Sequence, residues 1–155
     1  HAMSPSLNPT IATICGAVLF TLTGCASVPD GPTVGELLAK GGRLVTKSEF
    51  VKTLPAKIHM KWPNGRGEED LVLSADGKIT GTGLTYSSKS TSPVEGKWTM
   101  ADDGKLCSPK TFTAWGVSTN VCWYGYYVGN EAYGATSTDP SSKAMRVSAT
   151  PKSGS

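Results

Sequence analysis

Histidine is almost missing from this chain of 155 residues: the only two are His1 and His59, and His1 belongs to a leading His-Ala-Met that reads as a cloning remnant. A nucleophile served by a histidine base thus has only His59 to draw on, and no Ser stands in a G-x-S-x-G context. No CxxC occurs, so a Cys/His zinc site lacks ligands and a dithiol redox centre lacks its motif. No metal or cofactor is expected. A charge excess is missing too. The 15 Lys and Arg against 12 Asp and Glu leave a net charge of +3 with no basic stripe, which argues against a nucleic-acid partner. A phosphate-binding glycine loop is also lacking. Gly81-Thr82-Gly83 lies inside a strand pattern with no helix after it, and its glycines are read as allowing sheet curvature or a bulge.

What is present is a globular composition, 38% hydrophobic and 17% charged, consistent with one core. The 18 Gly and 10 Pro, interspersed with Thr and Ser, favour short strands and turns over long helices. Thr33-x-x-Glu36 and Thr46-x-x-Glu49 each have capping-box spacing, predicting two short helices that plug or flank a sheet. Beyond Pro55 the period becomes two. Ile58, Met60 and Trp62 alternate with Lys57, His59 and Lys61, and turn pairs recur at Asn64-Gly65, Asp76-Gly77, Asp103-Gly104 and Gly129-Asn130. About seven or eight strands linked by tight hairpins predict a mainly β fold, a sandwich or, preferred for the meander, a small antiparallel up-and-down barrel.

The apolar run Ile11 to Leu22 is twelve residues long. A bilayer-spanning helix needs roughly 20, whereas the apolar part of an export signal needs about 7 to 15. No Lys or Arg precedes it. The following Leu22-Thr23-Gly24-Cys25 resembles the lipobox of bacterial lipoproteins. That resemblance implies that residues 1–24 are cloning residues and signal peptide, and that Cys25 becomes the lipidated N-terminus. The alternative for Cys25 is a buried position in an apolar helix. Ala26 and Ser27 follow without an Asp, which implies the periplasmic face of the outer membrane in a Gram-negative cell, held by acyl chains. The expected organisation is then a tether over 25–32, one barrel-like domain over 33–150 and a disordered tail over 151–155.

Cys107 and Cys122 each lie in a strand-like run with fourteen residues between them, and in an exported protein such a pair is expected to form a disulfide. The bridge would pin a segment carrying Phe112 and Trp115, read as an exposed loop. Either this loop binds something or Trp115 folds back over a barrel mouth. In Cys122-Trp-Tyr-Gly-Tyr-Tyr127, Trp123 and Tyr127 share one face and Tyr124 and Tyr126 the other. One face fills the barrel and the other is either ordinary surface or a stacking platform. Acidic residues cluster at Glu68, Glu69 and Asp70 and at Asp102 and Asp103, beside predicted turns where carboxylates are normally solvated.

The run Gly96-Lys97-Trp98-Thr99-Met100, Asp103-Gly104-Lys105-Leu106-Cys107, then Cys122 with Tyr124 and Gly129-Asn130-Glu131-Ala132-Tyr133, resembles the proteobacterial exported domain of unknown function 995. The likeness covers about half the chain and implies a fold and a compartment rather than a reaction. The expected function is non-catalytic binding of an envelope protein through the loops and the aromatic strand, with Phe112, Trp115, Trp123 and Tyr127 as candidate contacts. The alternative is a lipocalin-like carrier of a small apolar ligand. A carboxylate-dependent hydrolase is the third reading.

Overall fold

The computed structural model describes residues 31–150. Cys15, the lipobox with Cys25, most of the expected tether and the tail 151–155 lie outside the described residues.

Both capping boxes form. Thr33 caps α1 (Val34–Ala39) and Thr46 caps α2 (Lys47–Lys52), each hydroxyl accepting from the Glu three residues on while that Glu accepts from the cap backbone. A two-residue strand, β1 (Arg43–Leu44), lies between them. The remaining strands are β2 (Ala56–Lys61), β3 (Gly67–Leu73), β4 (Lys78–Thr85), β5 (Thr91–Lys97), β6 (Thr99–Met100), β7 (Lys105–Phe112), β8 (Val117–Val128), β9 (Glu131–Ala135) and β10 (Ala144–Thr150). Each expected hairpin turn carries its glycine at positive φ, from +58° at Gly129 to +91° at Gly104.

Eight of these strands close an antiparallel barrel in the order β2, β3, β4, β5, β7, β8, β9, β10, with β10 pairing back onto β2. Every neighbour is a chain neighbour apart from the closing pair and the short β6, so the topology is the up-and-down meander rather than the sandwich. The β10–β2 pairing closes the ring over residues 148–150, while β9 covers β8 only over residues 124–128 and leaves the 117–123 stretch of β8 paired on one side, to β7. β6 extends the β5 side of β7 after a break at Trp98, and β1 pairs with the far end of β8 beyond its pairing with β7.

Register and alternation define the interior. Met60, Glu69, Gly83 and Ser92 point inward from successive strands because Met60 opposes Glu69, Glu69 opposes Gly83, and Gly83 opposes Ser92. The half of the barrel nearest the helices is filled. Phe50 of α2 enters it and meets Trp98 edge-on at 5.2 Å, among Val45, Leu71, Leu73, Ile79 and Met100, leaving a void of about 130 Å³. The helix α1 instead packs outside, where Val34 and Leu37 form a second cluster with Tyr126, Ala135 and Ala144. Of the two roles expected for the helices, α2 plugs and α1 flanks.

Candidate functional site

The opposite half of the barrel is hollow. A cavity of about 630 Å³ opens between the β2–β3, β4–β5 and β7–β8 turns, within the range typical of small-molecule sites. Its rim is built from Trp62, Phe112 and Trp115. Phe112 and Trp115 stack with centroids 5.2 Å apart, and Trp62 meets both edge-on at 5.7 and 6.1 Å. Met60, Val121 and Trp123 continue the apolar wall downward.

Local chemistry holds this rim in place. The indole N–H of Trp115 donates to Ser90 Oγ at 2.9 Å, and the Ala114 amide donates to Oγ of the buried Ser92 at 2.9 Å. The Tyr86 amide donates to the Arg66 carbonyl at 2.9 Å, tying the β4–β5 loop to the β2–β3 turn. Gly83 makes room for the aromatic stack, since a Cβ there would lie 2.6 Å from a Phe112 ring carbon. On the outer side of the rim, Tyr86 donates to Glu68 at 2.7 Å, and that hydrogen bond, with some desolvation, holds its phenol pKa above the usual value.

The floor is charged. Glu69 from β3 and Lys110 from β7 meet across the interior with Nζ to Oε1 at 3.0 Å, and their side chains are 2% and 6% exposed. Lys110 can lie against the β5 backbone because Gly96 faces it; a Cβ at Gly96 would sit 2.8 Å from the Lys110 Cβ. Two buried polar atoms of residues lining the cavity have no hydrogen-bond partner among the described residues, Glu69 Oε2 and Thr119 Oγ1.

Two expectations are corrected here. Phe112 is not exposed on a loop: it is the last residue of β7, only 4% exposed, because β7 and β8 run on past the cysteines and leave only Thr113 to Gly116 as the turn. Glu69 is not solvated beside a turn, because β3 begins at Gly67 and places Glu69 in phase with inward Leu71 and Leu73. That phase was available in the sequence, as was Lys110 in phase with Phe112, but an acidic cluster beside Asn-Gly masked it. Glu68 and Asp70 do point outward, and flank His59 at 4.0 and 2.8 Å. Asp102 and Asp103 stay on the far turn.

Among the candidate binding residues, Phe112, Trp115 and Trp123 line this cavity. Tyr127 does not join them. It lies toward the plugged end, beneath the Arg43 guanidinium at 5.6 Å. Cys107 and Cys122 are bonded to each other and directly opposed in the β7–β8 ladder, on the face away from the cavity. Among the described residues no group of three His, Cys, Asp or Glu side chains could hold a metal ion, and no helix is long and apolar enough to cross a membrane. In comparison with known proteins, no family model, no curated protein and no solved structure matches the chain.

Proposed function

We propose that the protein is a carrier or sensor that holds a small, largely apolar molecule in the open half of its barrel. The observation that carries this reading is the cavity of about 630 Å³ walled by Trp62, Phe112, Trp115, Val121 and Trp123. An eight-stranded barrel is just wide enough either to fill itself with side chains or to hold one such ligand. This one is filled at the α2 end and has room for a ligand at the other. The other reading, binding of an envelope protein through the loops and the aromatic strand with Phe112, Trp115, Trp123 and Tyr127, has less support, because Phe112 is buried and, among the described residues, the large apolar side chains exposed near the rim are Tyr86 and Val117.

The test is titration with the neutral apolar fluorophore N-phenyl-1-naphthylamine. Saturable one-to-one enhancement is expected for the wild-type chain. Val121→Trp, which fills the cavity from its wall, should abolish it while the far-ultraviolet circular dichroism stays unchanged. Equal enhancement in both proteins would remove the cavity from consideration.

We further propose that the carrier is tethered to the envelope through Cys25, on the strength of the lipobox-like Leu22-Thr23-Gly24-Cys25. Expression of the full chain in a Gram-negative host is expected to yield an intact mass that starts at Cys25 and includes acyl chains. A mass retaining the residues before Cys25, with no acyl addition, would refute the anchor.

A further inference from the structure

The cavity floor specifies more than an apolar occupant. Among the described residues, Glu69 and Lys110 are the only ionisable side chains lining it, and they already neutralise each other at 3.0 Å. The second carboxylate oxygen of Glu69 is nonetheless buried without a partner, in a residue 2% exposed, and the Thr119 hydroxyl on the same floor is also unpaired. A buried carboxylate oxygen without a donor is costly, and native interiors rarely retain one.

Resting on the carrier reading above, we propose that the ligand is a neutral, ring-bearing molecule with a hydroxyl or amide-type donor. This donor enters first and hydrogen-bonds to Glu69 Oε2 once the Glu69 side chain, occluded in this structure, turns toward it, while the apolar body lies between Trp62, Phe112, Trp115 and Trp123. Charge selects the class. A carboxylate would set a second anion beside Glu69 with only one cation to share, and an ammonium would set a second cation beside Lys110; both are penalised where water is excluded. A neutral donor satisfies the orphan oxygen and leaves the pair balanced. Thr119 Oγ1 can accept from or donate to the same group.

The experiment compares four ligands of one shape at neutral pH by calorimetric titration: naphthalene, 2-naphthol, 2-naphthoate and 2-naphthylmethylammonium. With the wild-type chain, 2-naphthol is expected to bind about tenfold or more tighter than naphthalene, as a hydrogen bond to a charged acceptor predicts, and tighter than either ion. In the double variant Glu69→Met/Lys110→Met the ratio of 2-naphthol to naphthalene affinity should fall to near one. Thr119→Val, nearly isosteric and without a charge change, should lower the ratio by a smaller factor. Equal wild-type affinity for naphthalene and 2-naphthol would overturn the donor assignment while leaving the cavity reading intact, as would preference for either ion. Failure of all four ligands to bind would overturn the cavity reading and this inference with it. The wild-type series alone decides the question should the double variant not fold.

Discussion

Replacing Lys110 alone by Met is expected to lower the unfolding free energy by about 3–5 kcal/mol, among the largest effects of any single substitution in this chain. The reason is the state left behind. Glu69 lies 2% exposed inside the barrel, with Lys110 Nζ as the one partner of its carboxylate among the described residues. Without that cation the carboxylate is left in a poorly solvated site or must draw water past the aromatic rim. The matched Glu69→Met/Lys110→Met chain is expected to recover most of the loss, since replacing both members of a buried pair with apolar side chains of similar volume is often neutral. Urea denaturation of the wild-type, single and double variants measures this, with the midpoint moving and the slope constant. A single-variant loss below about 1 kcal/mol would mean that Glu69 reaches solvent and that the floor is not sealed, because exposed pairs contribute only that much.

Removing the disulfide with Cys107→Ala/Cys122→Ala is expected to cost about 3 kcal/mol, as the chain-entropy model gives for a loop of roughly fifteen residues. The two Cα atoms are 4.0 Å apart and directly opposed, in a hairpin whose β7–β8 ladder runs from Lys105–Tyr124 to Phe112–Val117. The bridge faces away from the cavity, so its loss removes little packing there. The destabilisation should come from the unfolded chain, which regains the freedom of that segment. The affinity of the folded variant for N-phenyl-1-naphthylamine should therefore match the wild type, while its urea midpoint falls. A variant as stable as the wild type would show that the hairpin is already closed in the unfolded ensemble. Reduced affinity with unchanged stability would mean that the bridge shapes the rim instead.

Much of the architecture was legible in local chemistry. Thr33 with Glu36 and Thr46 with Glu49 are short-range hydrogen-bonding devices, and they cap helices wherever the chain goes afterwards. The Asn-Gly and Asp-Gly pairs nucleate hairpins because the turn conformation is a property of a few residues, so a meander could be inferred from their spacing. The alternation of Ile58, Met60 and Trp62 with Lys57, His59 and Lys61 similarly indicates which face turns inward. The site was only partly legible. Phe112, Trp115 and Trp123 were singled out for their aromatic character, whereas Glu69 and Lys110 were hidden, one inside an acidic run and the other in a segment mistaken for a loop.

Period, caps and turns are encoded by residues a few positions apart, which is why the two helix starts, the hairpin turns and the alternation along residues 57–62 are legible in the sequence. Whether a barrel is filled or hollow is not a local property. Phe50 fills one half because α2 folds back beneath the strands, whereas at the other end Trp62, Phe112 and Trp115 pack on one another against Gly83 and leave the cavity beside them open. The meeting of Glu69 with Lys110 depends on closure. β3 and β7 are separated in the sheet by β4 and β5 and face each other only because the sheet curls into a barrel, and that curvature creates the buried ion pair and leaves Glu69 Oε2 unpaired.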